Sequence, residues 1–378
     1  MKGFPYSCAA AASFGLESLV RDEVEALGIR GTRVEDRRVH FDATAAEIAR
    51  CNLWLRTADR LFVTLGQFPS PDFDALYDGV RRVPWRDWLG PDGAVTVEAV
   101  STKSRLTAVP SLQSVTKRAI VDTVSPASRM PESGPRYEVH VQLRDDVATV
   151  SLDTTGPGLH KRGYRRHAGD APLRENLAAA MVMLSRWDPS RPLADPVCGS
   201  GTIPIEAALV AARAAPGLNR TFAAESWPAF PASAWKEERA SAAEALVQAR
   251  ARGLELCLIG SDQDPAMVSA ARANAESAGV SSLVQFHAAP ASRFSPAGDH
   301  GCLVCNPPYG ERLGSEQEAQ ELARELGKLY RALPSWSFFV LSAREDFPKF
   351  FGSRPSRNRK LYNGALRCWL YQYFGPLP

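Results

Sequence analysis

Short apolar runs alternate along the chain with segments in which apolar residues recur every three or four positions, and this rhythm predicts two kinds of domain. Tyr6 to Ala12 reads as a strand, Phe14 to Leu27 as an amphipathic helix, Val39 to Phe41 as a strand, Thr44 to Leu55 as a helix and Leu61 to Phe68 as a strand. That β-α-β-α-β order predicts a small α+β domain over residues 1–70, with both helices on one face of a sheet. Pro69 to Pro91 reads as a connector with a helix at Phe73 to Val83. A second α+β unit over residues 71–156 follows: strand Ala94 to Ser101, helix Ser111 to Val124, and strands Arg136 to Leu143 and Ala148 to Asp153 joined by an Asp145-Asp146 turn.

Residues 157–190 read as a glycine-bearing joint and a lead-in helix from Leu173 to Trp187. From 191 to 378 strands and helices alternate: strand Leu193 to Val197, helix Thr202 to Arg213, strand Leu254 to Ser261, helix Pro265 to Ala278, strands Leu283 to Ala288 and Gly301 to Cys305, helix Glu316 to Leu333 and strand Phe338 to Ser342. Such alternation predicts a parallel sheet covered by helices on both faces, an α/β Rossmann-like domain. Two strand-like arms around Asn363-Gly364 predict a closing antiparallel hairpin. The insertion from Pro216 to Gly253, with Trp227 and Trp235, suggests packing and no chemistry.

Composition changes this picture little. The 378 residues are 45% hydrophobic and 23% charged, with a formal charge of +3, so nucleic-acid binding has to rest on local clusters. Seven scattered cysteines suggest reduced, buried thiols. Met1 to Pro5 lacks a signal-peptide pattern and no apolar run approaches membrane-spanning length, so a cytoplasmic protein with no membrane association and no obligate protein partner is expected. One cluster stands out: Lys161, Arg162, Arg165, Arg166 and Arg174 face a single acid, Asp170, with Tyr164 among them. Others are Lys103, Arg105, Lys117 and Arg118 in the second α+β unit, and Arg354, Arg357, Arg359 and Lys360 before the hairpin. All but Arg174 are candidate RNA contacts.

Three strand ends carry candidate chemistry. Asp195-Pro196-Val197-Cys198-Gly199-Ser200-Gly201-Thr202 links the first strand to a helix, and its glycines let backbone approach a ligand. It lacks the Gly-Lys-Ser/Thr of a phosphate loop, while Asp195 suits an ammonium. Asp262, at the end of the second strand, stands where an open α/β sheet grips ribose hydroxyls, whereas Asp264, next to Pro265, suits a helix N-cap. Cys302-Leu303-Val304-Cys305 ends in Asn306-Pro307-Pro308-Tyr309, a rigid turn offering an amide oxygen, a carbonyl and an aromatic ring to a base amine. Together these suggest S-adenosylmethionine. Cys302 and Cys305 have metal-ligand spacing but no second pair, and the six histidines are dispersed, so no metal is expected.

Asp195 to Ile203 and Asn306 to Gly314, with Gly163-Tyr164-Arg165 and Ala171 to Ala180, resemble the motifs of the THUMP-domain class I RNA guanine-N2 methyltransferases. The resemblance covers nearly the whole chain and implies a ferredoxin-like domain, a THUMP RNA-binding domain and a Rossmann-like methyltransferase domain. It implies a cofactor site from Pro172, Leu173, Asp195, Cys198, Gly199, Ser200, Gly201, Thr202, Asp262, Gln263, Ala291 and Asn306, with Asn306, Pro307, Pro308 and Tyr309 catalytic. The implied product is N2-methylguanosine in structured RNA, in the large-subunit (23S) rRNA branch or alternatively the tRNA acceptor-stem branch. A DNA adenine-N6 methyltransferase and a non-catalytic RNA-binding protein are the readings from other classes. Pro290 departs from the family, which usually places an acid there to bond the adenine amine, and this implies modest cofactor affinity or a substitute partner.

Overall fold

The computed structural model describes residues 5–125, 130–165, 173–251, 253, 255–296, 298–308 and 316–376. Packing divides the chain into two compact units, one of Met1–Ala12, Val20–Leu159 and Thr221–Ala240, the other of Ser13–Leu19, His160–Arg220 and Ser241–Pro378.

The first unit contains β1 (Tyr6–Ala12), α1 (Glu17–Ala26, from Val20 onward), β2 (Arg33–Glu35), β3 (Arg38–Ala43), α2 (Ala45–Trp54), β4 (Ala58–Pro69), α3 (Phe73–Arg81), β5 (Ala94–Thr102), α4 (Val109–Val124), β6 (Arg136–Arg144) and β7 (Val147–Asp153). Its sheet runs β2-β3-β1-β4-β7-β6-β5, antiparallel except for the β5–β6 pair. The sheet continues unbroken across residue 70, because β4 pairs with β1 along one edge and β7 along the other. Local chemistry sets the boundaries. Thr44 and Glu47 form a capping box at the start of α2, Asp72 caps α3 through the Ala75 N–H, and Asp145 and Asp146, both at positive φ, close the expected tight turn. The sequence pattern did not show β2, which is exposed throughout and therefore carries no apolar alternation.

The middle of the insertion, Thr221–Ala240, packs as expected, and it does so in the first unit, while its two ends belong to the second. Trp227 stacks on Tyr137 with ring centroids 5.0 Å apart and donates its indole N–H to the Arg136 carbonyl at 3.0 Å. Phe230 meets Tyr6 edge-on, and Glu238 pairs with Arg50 at 2.6 Å.

The second unit contains α5 (Glu175–Leu184), β8 (Leu193–Asp195), α6 (Thr202–Ala211), β9 (Leu258–Asp262), α8 (Pro265–Ser277), β10 (Gln285–Ala288), β11 (Cys302–Cys305), α9 (Glu316–Ala332), β12 (Ser337–Ser342), α10 (Phe347–Phe351), β13 (Arg357–Asn363) and β14 (Leu366–Tyr373), with α7 (Ala232–Ala251) divided between the units. Its sheet order is β10-β9-β8-β11-β12-β14-β13; the first five strands are parallel, and β14 runs antiparallel to both its neighbours. β8 is shorter than expected because Pro196 lacks an N–H to continue the ladder. β9 begins at Leu258, the residue opposite Leu193 where β8 begins.

Candidate active site

Four neighbouring strands, β10, β9, β8 and β11, bring Asp195, Asp262 and Asn306 to one edge of the parallel sheet. Register fixes this: Asp195 lies opposite Gly260, Asp262 opposite Ala288, and Leu303 opposite Ala194, so each chain leaves its strand at the carboxyl edge.

The turn after β8 is held by backbone hydrogen bonds, one to β9 and one within the turn. The Cys198 N–H donates to the Ser261 carbonyl at 2.8 Å, and the Gly201 N–H to the Cys198 carbonyl at 2.9 Å. Its glycines do different work. A Cβ on Gly201, at φ +83°, would stand 2.9 Å from the Ala271 Cβ and 3.0 Å from the Phe286 ring, so this glycine permits close packing of the start of α6. A Cβ on Gly199, at φ +51°, would meet nothing within 4 Å, so its open side leaves room for a ligand against the backbone. Ser200 and Thr202 are buried, and the Ser200 carbonyl accepts from Asn274.

Asp195 is buried, with Oδ1 accepting from the Val197 N–H at 3.1 Å. Burial, reinforced by the Asp262 charge, pushes its carboxyl well above the usual carboxylate range. Asp262 accepts from the Gly199 N–H at 2.9 Å and from the Asp264 N–H at 3.0 Å, so it ties the glycine turn to the neighbouring strand. Asp264 is the N-cap of α8, as its position before Pro265 suggested. Gln263 is exposed, and Ala291 is buried in a single 3-10 turn that begins just after Pro290.

Asn306 follows β11 directly. Its Oδ1 is buried and has no hydrogen-bond partner among the described residues. Pro307 is buried and Pro308 half-buried. Tyr309 and Pro172 lie outside the described residues, as does Arg166. Cys302 packs into the hydrophobic cluster on one face of the sheet and Cys305 into the cluster on the other, so their thiols diverge and cannot share a metal. In the first unit Glu138, His140 and Asp153 approach one another within 4.8 Å, but Arg60 bonds Asp153 and lies 3.5 Å from Glu138, meeting the acids with a protein cation.

Two basic residues expected at RNA are placed otherwise. Arg162 is 2% exposed and its Nε lies 3.5 Å from Glu206 Oε1, which also accepts from the Tyr164 hydroxyl at 3.2 Å. Arg165 reaches Glu175 at 3.4 Å and donates through Nη2 to the Leu173 carbonyl at 2.7 Å and Thr202 Oγ1 at 3.0 Å. Both are corrected to internal roles: the guanidiniums neutralise buried carboxylates, and Arg165 ties the Leu173 segment to the start of α6. The missed partners had a signal. Glu206 is the one charged residue in an otherwise apolar helix segment, Thr-Ile-Pro-Ile-Glu-Ala-Ala-Leu-Val-Ala, and a buried acid requires a cation. Arg162→Met should therefore destabilise the fold by about 3–5 kcal/mol, because it strands a buried carboxylate. Denaturant unfolding would check this, and an unchanged midpoint together with a shallower salt dependence of RNA binding would restore the RNA role.

The remaining candidate RNA contacts among the described residues are exposed, apart from the half-buried Lys117 and Arg359. Lys103 is exposed at φ +52°, Arg105 pairs with Asp146 at 3.2 Å, Lys117 with Glu132 at 2.6 Å and Arg118 with Asp122 at 3.6 Å. Exposed pairs of this kind cost little to exchange for a phosphate. Lys161, Arg354, Arg357 and Lys360 are exposed in the second unit, and Arg359 is half-buried. Burial and the cations Arg174, Arg162, Lys161 and Arg220 push His160 down to about 4, so the joint keeps its charge without it. Among the described residues no helix is long and apolar enough to cross a membrane.

Comparison with known proteins adds family models over three segments: an RlmL ferredoxin-like domain at residues 7–62, a THUMP domain at 70–153, and an RMKL-like methyltransferase domain at 162–372. The chain is 39% identical to YpsC of Bacillus subtilis (strain 168), provisionally named an RNA methyltransferase, over 98% of this chain and 96% of YpsC. It is 37% identical to the ribosomal RNA large subunit methyltransferase K/L of Aliivibrio fischeri (strain MJ11), over 95% of this chain and 52% of that protein, so it spans about half of that relative's length. Among solved structures, SMU.472, provisionally named a methyltransferase and complexed with SAH, superposes with a TM-score of 0.91 at 38% identity over 100% of both chains. A protein of Listeria monocytogenes str. 4b F2365, named a predicted N6-adenine-specific DNA methylase, matches with a TM-score of 0.91 at 40% identity over 98% of this chain and 97% of that one.

Proposed function

This chain belongs to the RMKL-like family of S-adenosylmethionine-dependent RNA methyltransferases that includes YpsC and methyltransferase K/L, and on that premise we propose that it methylates the N2 amine of a guanine in large-subunit ribosomal RNA. The observation that carries the reading is the buried Asn306 Oδ1, an acceptor with no partner among the described residues, at the carboxyl edge shared with Asp195 and Asp262. A buried acceptor left unmet costs about 1–3 kcal/mol, so its persistence points to a donor supplied by a ligand.

The chain's groups fit the cofactor. The open side of Gly199 leaves backbone accessible, buried Asp195 offers a carboxylate to an ammonium, and Asp262 stands ready for ribose hydroxyls. Leu173, Cys198, Ser200, Gly201, Thr202, Gln263 and Ala291 complete the proposed pocket, together with Pro172. When bound, S-adenosylmethionine supplies the electrophilic methyl group. Asn306 Oδ1 and the Pro307 carbonyl accept the two hydrogens of the base amine and orient its lone pair. The amine is neutral when it attacks and sheds one proton to solvent afterwards, so no base has to act beforehand. A guanine in a stem must first be unstacked at a cost of a few kcal/mol, and stacking on Tyr309, worth about 1–3 kcal/mol, offsets part of this. The exposed cations Lys103, Arg105, Arg118, Lys161, Arg354, Arg357 and Lys360, and the half-buried Lys117 and Arg359, are proposed to meet RNA phosphates, with Arg166.

RNA is favoured over DNA by the THUMP match and by the rRNA relative. The Asn-Pro-Pro turn would equally serve an adenine amine, and a tRNA guanine would present the same amine as an rRNA one. Nucleoside mass spectrometry of rRNA, tRNA and DNA from a deletion strain and its parent separates these readings. Loss of N2-methylguanosine from 23S rRNA is expected, and loss of N6-methyladenine from DNA with rRNA unchanged would overturn the proposal.

Pro290 offers no carboxylate to the adenine amine. Pro290→Asp should tighten cofactor binding by roughly ten- to a hundredfold, the equivalent of about 1.5–3 kcal/mol for a hydrogen bond to a charged group. Calorimetric titration showing tight wild-type binding that the substitution leaves unimproved would sink this expectation.

A further inference from the structure

Residues Ser13–Leu19 precede most of the first unit in sequence, yet they pack as part of the second. Gly15, at φ +86°, sits so close to β13 that a Cβ would stand 2.8 Å from the Lys360 carbonyl oxygen. Arg359 Nη1 donates to the Gly15 carbonyl at 3.2 Å, and the Gly15 N–H donates to Glu17 Oε2 at 2.9 Å. The loop is thereby pinned, and the residue it presents is Phe14, 46% exposed. The Phe14 ring stands edge-on to Tyr362, with centroids 5.9 Å apart and planes at 85°, and Lys360 Nζ lies 5.6 Å from each ring.

Strand register locates this corner. Lys360 is opposite Trp369, which is opposite Ser342 at the carboxyl end of β12; Tyr362 lies two residues further on. Cys305, just before Asn306, pairs with Val340 of the same β12. The rings therefore stand on the carboxyl side of the sheet, where the chain leaves β11 for the proposed catalytic turn. Among the described residues Arg354, Arg357, Arg359 and Lys360 form no ion pair; Glu17 acts on Arg359 from beyond that distance, and the segment from Arg354 to Lys360, with four cations and no acid of its own, stays net positive. Two rings at a right angle beside an ammonium suit a flat, electron-rich ligand attached to an anionic backbone. Packing alone does not require an aromatic ring left nearly half exposed on a pinned loop.

We propose that Phe14, Tyr362 and Lys360 form a stacking subsite for an unpaired nucleotide of the RNA substrate, distinct from the nucleotide held at Asn306. This rests on the RNA-methyltransferase reading and adds to it a requirement for single-stranded RNA beside the target. A base lies against one ring and meets the edge of the other, and Lys360 holds the adjoining phosphate.

The test uses the full chain with a fluorescein-labelled ten-nucleotide oligoadenylate and a ten-base-pair RNA duplex as probes. Phe14→Leu/Tyr362→Leu keeps apolar bulk but removes both rings, and it should weaken oligoadenylate binding by roughly tenfold or more, the loss of one stacked base. Duplex binding and S-adenosylmethionine affinity should stay at wild-type values, and the unfolding temperature should fall by no more than a few degrees, the loss of one edge-on ring pair. Tyr362→Phe should retain oligoadenylate binding. Equal oligoadenylate affinity of the double variant and wild type would overturn the proposal, as would equal losses for duplex and single strand, which would reduce the patch to phosphate charge. If nucleoside analysis instead identifies a different methylated base, the guanine reading fails while the oligoadenylate result still decides the subsite.

Discussion

Asn306→Ala is expected to lower methyl transfer by at least roughly 10²–10³-fold, the loss seen when one preorganised hydrogen-bonding group is removed from a reacting centre. The substitution deletes Oδ1, the buried acceptor for which the described residues provide no donor, so no hydrogen bond to a described residue is lost with it. The fold should therefore hold or gain slightly, because an unmet buried polar atom is removed. S-adenosylmethionine binding should remain near wild type if Asp195 and Asp262 carry most of its polar contacts. Single-turnover transfer to rRNA from a deletion strain, together with calorimetric titration of the cofactor, checks both halves. Retained turnover would refute the catalytic assignment, and lost turnover accompanied by lost cofactor binding would reassign Asn306 to the cofactor pocket.

Asp195→Asn should act in opposite directions on stability and on binding. In the ligand-free fold the Asp195 carboxyl is raised, first by burial and then by the Asp262 charge. A carboxyl whose folded pKa lies above its unfolded value destabilises the fold increasingly as pH rises from the unfolded pKa through the folded one. The neutral amide avoids this penalty and can still accept from the Val197 N–H. Above that interval the variant should be the more thermostable, by about 2–4 °C for each kcal/mol gained in a domain of roughly 200 residues. Cofactor affinity should fall by about ten- to a hundredfold, since the ammonium loses a charged partner worth about 1.5–3 kcal/mol. In the wild type, binding an ammonium at a protonated Asp195 expels a proton, so affinity should rise with pH up to the ligand-free pKa. The variant should lack that dependence. Thermal unfolding and cofactor titration across pH, with wild type and variant side by side, read all three effects. A variant that binds cofactor as tightly as wild type at every pH would remove the ammonium from this site.

The sequence by itself determined the order of the elements and the positions of the candidate residues at the strand ends. Asp195, Asp262 and Asn306 were legible because each closes an apolar run with a polar or rigid residue, and a parallel sheet must send all such ends to the same edge. The Asp264 cap and the Asp145-Asp146 turn were legible because they are satisfied within a few residues of chain. Only the tertiary structure decided what depends on partners distant in sequence. Arg162 and Arg165 look like phosphate contacts in a basic run, and it took Glu206 and Glu175, brought in by helices, to make them internal. The insertion could be read as packing, yet not as packing of its middle, Thr221–Ala240, within the first unit, because the Tyr137 ring under Trp227 lies some ninety residues earlier in the chain, with an Arg136-to-Trp227 separation of 91. Phe14 is one apolar residue before a glycine in sequence, and it becomes half of an exposed aromatic corner only where Gly15 lets the loop close on β13. Periodicity and turn chemistry are local properties that a chain states directly; charge compensation and ring pairing are set by which segments the fold brings together.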